Sequence, residues 1–290
     1  MPSSNKSKNG RVRPVNSQST DFTRRLFEEF KASFLKDLRS YVRYPAWLLG
    51  DFISTPLWFF FFALGVTLFA PPSEAGSRGG GLAFFFYGFV FIILFSTSVW
   101  GVGQSVRNEQ TAGTLEQFFL SPVSRVTLIV GRWARIFLTD TVIISYTTVL
   151  LYLLGGLFVT LLDPVLFVVS LGLYEVALIG FGLFVAALTL RIKSYNTIAN
   201  LVFFGYMILT GALFPITLIP MPFRYISLAI PFTYFNDLMR NAALGTSTIL
   251  PEGLEYASSV LLAIGMLVLG YFVFNKVEEE ARARGSIGTS

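Results

Sequence analysis

The stretch LAFFFYGFVFIILFSTSVWGVGQSV, residues 82–106, carries no charged side chain along its whole length. A helix needs about 20 residues to cross the hydrocarbon core of a bilayer, so this stretch predicts a transmembrane helix. Five other long apolar runs flank it, at residues 47–70, 126–162, 165–190, 197–214 and 256–274. The sequence therefore predicts an all-α membrane protein with six transmembrane helices.

Composition supports a membrane protein and excludes several kinds of chemistry. The 290-residue chain is 53% hydrophobic and 13% charged, with a mean hydropathy of +0.64, whereas soluble domains carry about 25% charged residues. It contains no Cys and no His, so thiolate and imidazole metal sites and Ser-His-Asp or Cys-His catalysis are excluded. We predict no catalytic residue, no metal site and no nucleic-acid partner. The chain also lacks a G-x-x-x-x-G-K-[ST] phosphate-binding loop, so any ATP would have to bind another chain.

The segments before the first apolar run differ in character. Residues 1–20 are polar and basic without apolar periodicity, which predicts a disordered cytoplasmic tail. In residues 21–44, large apolar side chains recur every four positions while basic side chains occupy other faces. This pattern predicts an amphipathic helix, capped by Asp21, at the membrane interface. A soluble core helix is the alternative, which the apolar run that follows disfavours.

The basic residues predict the orientation. With the N-terminus in the cytoplasm, nineteen of the 22 Lys and Arg residues lie on the cytoplasmic side, and Arg78, Arg224 and Arg240 lie outside. Positive charge concentrates on the cytoplasmic side of membrane proteins. We therefore expect a multi-pass protein of the plasma membrane with both termini cytoplasmic, a membrane domain over residues 45–275 and a C-terminal tail over residues 276–290.

Residues 215–255 do not fit either a free loop or a span. The segment is rich in aromatic residues and is interrupted by five prolines. Irregular backbone at membrane depth is tolerated only when it is buried in protein. We therefore expect external re-entrant or interfacial helices between spans five and six. Asp237 and Arg240 could pair on a helix, with solvated rim charges as the default interpretation.

A polar insert, RNEQTAGTLEQFFLSP at residues 107–122, follows the second span. Leu115, Phe118 and Phe119 form a small apolar face, with Glu109 and Glu116 around it. A short amphipathic helix in the cytosol requires something to cover that face. The pattern alone is equally compatible with a partner protein and with packing on the chain's own bundle.

This insert resembles the cytoplasmic segment of the type-2 ATP-binding-cassette (ABC) permease family. The residues that carry the resemblance are Glu109, Gly113, Thr114, Leu115, Glu116, Gln117 and the Ser121-Pro122-Val123-Ser124 run. The predicted architecture is similar as well, and the Arg43-Tyr44-Pro45 entry together with Pro56 resembles drug- and lipid-exporting members.

The resemblance implies a function for the insert. In the family it is the coupling helix, which sits in a cleft of a separate ATPase subunit that binds ATP and Mg. By resemblance, the ATPase-coupling residues are Glu109, Gly113, Thr114, Leu115, Glu116, Phe118, Phe119 and Pro122. The resemblance also implies a second copy of the chain, or a related permease, within membrane lipid. No cofactor is expected in this chain itself.

Two carboxyl groups within the apolar runs are candidates for a function inside the membrane. Glu175 lies near the middle of the fourth run, where a charge costs at least about 2.5–3.5 kcal/mol. It could contact substrate, bind a proton or be a structural, hydrogen-bonded carboxyl. For Asp140 in the third run, an ion pair with Arg132 or Arg135 is favoured over transport chemistry, and Asp51 in the first run is expected to be structural.

The function predicted from these features is the permease subunit of an ABC exporter for a hydrophobic or amphipathic substrate, such as a drug, a lipid or a lipid-linked glycan. Two alternatives are weighed against it. An ion-coupled secondary transporter would gather more polar groups at the midplane, and no inverted repeat is evident. A non-transporting scaffold or a lipid-processing enzyme is the other alternative, although the chain lacks a paired-carboxylate constellation.

Overall fold

The computed structural model describes residues 15–69, 78–103, 107, 124–155, 161–192 and 195–283. No β-strand occurs within these ranges, which confirms the all-α class. The helices, numbered here in chain order, are α1 Val15–Arg43, α2 Pro45–Phe69, α3 Arg78–Ser96, α4 Arg125–Gly155, α5 Pro164–Arg191, α6 Tyr195–Leu209, α7 Met221–Ala229, α8 Pro231–Leu244 and α9 Glu252–Ala283. A π-helical turn, Thr97–Gly103, continues α3, and a short 3₁₀ turn, Ile216–Leu218, precedes α7.

Four helices of the described part are long and apolar enough to cross a membrane. Their spanning portions are Gly81–Gly103, Arg125–Leu154, Pro164–Arg191 and Glu252–Glu280. Helix α6, at the predicted fifth span, is shorter, whereas the predicted first span lies in α2, a helix of 25 residues. A helix of 15 residues such as α6 rises about 22 Å, less than the hydrocarbon thickness of about 30 Å. The count of six spans therefore stays a prediction.

Helix α1 occupies the region in which the interfacial helix is expected. It runs from Val15 to Arg43, so it overlaps the end of the predicted tail, while residues 1–14 lie outside the described part. Phe30 and Phe34 of the predicted apolar stripe stack at 6.3 Å between ring centroids, whereas Phe27 is 62% exposed. The position of α1 at a membrane interface stays a prediction.

Helix α3 lies at the centre of the bundle. Phe85, Phe86, Phe89, Phe91 and Phe95 on it are all buried. Phe59 of α2 packs against three of these rings, with centroid distances between 5.5 and 5.8 Å. Helix α3 is thus apolar on every face, because other helices, rather than lipid, cover most of it.

Helices α5 and α9 are in close contact, where glycines allow the backbones to meet. A Cβ atom added to Gly270 would lie 1.9 Å from the carbonyl oxygen of Gly180, and one added to Gly180 would lie 2.4 Å from the backbone of Met266. Small residues at helix contacts allow this approach within membranes. The two helices therefore pack backbone against backbone at this level.

The beginning of α5 is set by a cap. Asp163 accepts hydrogen bonds from the backbone N–H groups of Val165 and Leu166 at 3.0 and 2.9 Å, and Pro164 occupies the first turn, where its missing N–H has no cost. The backbone N–H of Asp163 donates to the carbonyl of Ala242 at 2.9 Å. This bond fixes the beginning of α5 to the end of α8.

Residues 215–255 contain α7 and α8, as expected of a segment broken by prolines. Pro231 begins α8, and Gly245 ends it with a φ of 69°, the left-handed conformation that favours glycine. Phe235, Leu238 and Met239 of α8 are completely buried. The segment packs against the bundle, and its position as re-entrant or interfacial helices stays a prediction.

Candidate functional site

The predicted coupling residues lie outside the described part of the chain. This applies to Glu109, Gly113, Thr114, Leu115, Glu116, Phe118, Phe119 and Pro122. The first described residue after the segment is Ser124, and its contacts identify the helix next to it. The backbone N–H of Ser124 donates to the Glu29 carboxylate of α1 at 3.3 Å. The exit of the predicted coupling segment therefore contacts α1.

Helix α1 packs along the first turns of α4. The Ser33 hydroxyl donates to the carbonyl of Leu128 at 3.0 Å, next to Gly131, where an added Cβ would lie 2.8 Å from Ser33. Further along, Arg132 binds the Asp37 carboxylate at 2.8 Å. Hydrogen bonds and an ion pair thus fasten α1 to the beginning of α4.

The end of α9 approaches the same place. Arg125, the first residue of α4, lies 3.4 Å from the Glu278 carboxylate, with 15% and 12% of the two side chains exposed. Arg191, the last residue of α5, binds Glu280. The beginning of α4, the end of α5, the end of α9 and α1 therefore meet at one end of the bundle.

Tyr41 of α1 also contacts α2 and α4. Its hydroxyl donates to Asp51 at 2.7 Å, and the Arg135 guanidinium lies 5.3 Å from the centre of its ring. Burial, followed by the Asp51 carboxylate, raises the pKa of the Tyr41 hydroxyl. Asp51 thus has a structural contact, as expected from the sequence.

Asp140 has a different partner from the one predicted. Its carboxylate accepts a hydrogen bond of 2.6 Å from the Thr97 hydroxyl, in the π-helical turn that continues α3. Arg132, by contrast, reaches back to Asp37, because Arg132 lies two turns before Asp140 and faces α1. Among the described residues, no direct ion-pair contact joins Asp140 to Arg132 or Arg135, although the charge of Arg135 acts on the Asp140 carboxylate electrostatically. The carboxylate instead links α4 to the π-helical turn.

Glu175 is buried in α5 with 7% of the residue exposed. One of its carboxylate oxygens, Oε1, has no hydrogen-bond partner within the described residues. The nearby charge of Asp140 acts on it electrostatically. The hydrogen bonding of this buried carboxyl group is thus incomplete within the described residues, and a function for Glu175 stays a prediction.

A network of hydroxyl and amide groups joins α5, α6 and α8 through the centre of the bundle. The hydroxyls of Tyr174 and Tyr206 lie 2.7 Å apart, and Tyr206 donates to the Asn236 side chain at 3.0 Å. Asn236 in turn donates to the carbonyl of Thr210 at 3.2 Å. These bonds satisfy polar groups that apolar surroundings would otherwise penalise.

Arg240 contradicts the default interpretation of a solvated rim charge, because only 4% of the residue is exposed. Its guanidinium donates to the carbonyls of Gly211 and Ala212 at 2.8 and 2.9 Å, directly after the end of α6. It also lies 3.5 Å from the centre of the Phe84 ring. Arg240 thus satisfies backbone carbonyls of the bend after α6, where no helical hydrogen bond is available to them. Burial lowers its pKa.

Asp237 is also held by protein rather than by solvent. It accepts a hydrogen bond of 2.8 Å from the backbone N–H of Ile249, and its carboxyl group interacts electrostatically with that of Glu255. Glu255 accepts from the backbone N–H of Leu250 at 2.8 Å. Burial raises the pKa of the Asp237 carboxyl group.

A cavity of about 790 Å³ lies between the break after α6, helices α7 and α8 and the loop at residues 246–250. Arg224, Asp237 and Arg240 line it, together with several Thr and Ser residues. The described residues contain no cluster of three or more acidic side chains that could hold a metal ion. The described part of the site therefore consists of contacts between helix ends and of buried polar side chains.

The ABC-2 type transporter family matches residues 28–244, which include most of the helices described above. The chain belongs to this family. It is therefore the membrane permease component of an ABC transporter, a role that is not itself catalytic, and members of this kind work in general with an ABC ATPase. No curated protein matches the chain.

Some residues at the site of this ABC-2 permease could not be predicted from the sequence. Glu29, Glu278 and Glu280 carry no motif, and their role depends on which helix ends meet. The run of three glutamates at residues 278–280, directly after the last span, is the one signal that could have singled out the end of α9. The predicted coupling residues and the remaining site residues, Glu175 and Asp140, stay functional predictions.

Proposed function

We propose that this permease is a subunit of an ATP-driven exporter that moves a hydrophobic or amphipathic substrate out of the cytoplasm. Drugs, lipids and lipid-linked glycans are the substrate classes. Residues 107–122 are its coupling helix, seated in a separate ATPase subunit that binds ATP and Mg. Two permease chains, identical or related, form the transporter in the plasma membrane, with both termini in the cytoplasm.

The observation that carries the proposal is the family match over residues 28–244, which includes the amphipathic segment at residues 107–122. The surroundings of that segment support it. Ser124 and Arg125, at its exit, contact α1 through Glu29 and α9 through Glu278. A displacement of the segment by a partner would therefore act on three helices and not on α4 alone.

The arrangement of helix ends also supports the proposed orientation. Because α1, the beginning of α4 and the end of α9 meet, both described ends of the chain lie at the same end of the bundle. The cap at Asp163 contacts α8 through Ala242 at the opposite end of α4 and α5. An even number of crossings and the charge asymmetry of the sequence are consistent with this arrangement.

We further propose that Glu175 has a function during transport and that Asp140, positioned by Thr97, sets the electrostatic environment of Glu175. The partner-free oxygen of Glu175 supports this proposal. Replacement of Glu175 by Gln retains the shape and removes the charge. We expect this variant to fold and to transport more slowly, with transport that no longer depends on pH.

The proposed function is tested by reconstituting the permease with its ATPase in liposomes. ATP hydrolysis is measured with rhodamine 6G, a fluorescent phosphatidylethanolamine and a lipid-linked oligosaccharide. We expect one of these to stimulate hydrolysis and to be transported only when ATP is present. Transport that follows an ion gradient without ATP would support the ion-coupled alternative, and the absence of any bound ATPase would refute the proposal.

A further inference from the structure

We propose that Glu278 and Glu280 at the end of α9 are positioning residues that make the beginning of α4 move together with α5 and α9. This inference rests on the proposed function, because it concerns the route by which a displacement of the coupling segment enters the bundle. Its physical basis is the meeting of three helix ends around two ion pairs.

The first ion pair joins the exit of the coupling segment to α9. Arg125 follows the segment directly and lies 3.4 Å from Glu278. With 15% and 12% of their side chains exposed, the two groups are largely shielded from water, so their attraction is screened less than that of a surface pair. Separating them would leave two poorly solvated charges, which opposes independent movement of α4 and α9.

The second ion pair joins α9 to the end of α5. Glu280 binds Arg191, the last residue of α5, and these side chains are more exposed, at 35% and 53%. Because Glu278 and Glu280 lie on the same final turns of α9, this short segment connects α4 and α5. The order of the helices along the chain does not by itself bring the beginning of α4 and the end of α5 to the end of α9.

A small apolar core lies beneath the two ion pairs and is separate from the main core of the bundle. It combines side chains of α4, α5, α9 and the π-helical turn, namely Val102, Ile129, Leu183, Ala186, Ala187, Phe274 and Val277. Packed cores transmit displacement because they are not readily compressed. The ion pairs and this core therefore hold the same three helix ends.

Further from the ion pairs, α5 and α9 are in backbone contact at Gly180 and Gly270. Such close backbone packing opposes sliding of the two helices past each other. A displacement that reaches the end of α9 is thus transmitted to α5, which carries Glu175. The route leads from the coupling segment to the buried carboxyl without passing through α6, α7 or α8.

The test compares Glu278→Gln with Glu279→Gln, a matched control because Glu279 is the exposed neighbour on the same turn. Each variant is reconstituted with the ATPase subunit, and hydrolysis is measured with and without the compound that most stimulates the unaltered protein. We expect Glu278→Gln to lower the stimulated-to-basal ratio by about fivefold or more, the lower end of typical coupling between sites. Glu279→Gln should retain the ratio.

A charge exchange separates a positioning role from a structural one. Glu278→Arg should lose stimulation, and adding Arg125→Glu should restore it by re-forming the pair with reversed polarity. The melting temperature of the permease alone is measured in parallel. A lower melting temperature with an unchanged ratio for Glu278→Gln, or the absence of rescue in the double variant, would overturn the inference.

The more exposed Glu280 keeps the test available if Glu278 variants do not fold. Glu280→Gln should lower the same ratio to a smaller extent, and an unchanged ratio in that variant would count against the inference. An unaltered protein that binds no ATPase, or that no compound stimulates, would instead refute the proposed function. Stimulation of the unaltered protein with normal coupling in all glutamate variants would refute only the positioning role.

Discussion

Replacing Gly270 by Ala should destabilise the permease through the contact between α5 and α9. The added Cβ would lie 1.9 Å from the carbonyl oxygen of Gly180, whereas ordinary van der Waals contact begins at 3.4 Å. The two backbones would have to separate by about 1.5 Å, a distance that follows from these two values. Because the obstructing atom belongs to the backbone, no side-chain rotation can relieve the clash.

The cost follows from overpacking. Extra atoms in a well-packed core cost about 1–3 kcal/mol, and a backbone clash between two long helices should reach the upper end of that range. Substitution of Gly by Ala within a helix gains at most about 1 kcal/mol in helix propensity. We therefore expect a net loss of about 2 kcal/mol in the free energy of unfolding.

Gly265→Ala provides the matched control on the same helix. An added Cβ at this position meets no heavy atom within 4 Å, so the variant retains the propensity gain without the clash. Equilibrium unfolding in mixed micelles, followed by tryptophan fluorescence, gives the free energy for both variants. Equal stability of the two variants would refute the close contact of α5 and α9.

Three other predictions concern buried polar groups. Arg240→Met should lower the free energy of unfolding by about 2–5 kcal/mol, because two buried carbonyls after α6 lose their donors, whereas Arg224→Met, at a half-exposed position, should have little effect. Because the pKa of Asp237 is raised in the folded protein, this group contributes fully to the free energy of unfolding below its ordinary pKa of 3.8. The contribution is lost as the pH rises through the higher pKa of the folded state. Asp237→Asn should flatten this dependence in melting curves recorded against pH. Tyr206→Phe leaves the Asn236 side chain without its hydroxyl donor and should cost about 1–3 kcal/mol in the same unfolding assay.

Periodicity and hydrophobic length predict much of the helical architecture. All six apolar runs contain helices, since apolar length and the absence of charge determine where a helix can be buried. Hydrophobic length alone does not determine which of these helices cross the membrane. Helix α6 is only 15 residues long, because the chain bends at residues 210–214 before the proline-rich segment. Hydropathy does not report such a bend.

The partners of charged residues are the least predictable part of the site. Arg132 and Asp140 lie two turns apart on the same helix, yet Arg132 binds Asp37 and Asp140 accepts from Thr97, because the two side chains face different helices. Arg240 looks like an external surface charge in the sequence but satisfies carbonyls in the bend after α6. Such pairings depend on tertiary contacts between distant segments, which one sequence does not contain.

The most direct test of the proposed exporter is ATP-dependent transport by a permease with an altered coupling segment. Glu116→Arg combined with Phe118→Ala removes a predicted rim charge and part of the predicted apolar contact, while Glu252→Arg, an exposed position at the other end of α9, serves as the control. Uptake is measured in inside-out vesicles that contain the permease and its ATPase. We expect the double variant to lose ATP-dependent uptake and the control to retain it. Uptake by the double variant equal to that of the unaltered protein would contradict the assignment of residues 107–122 as the coupling helix.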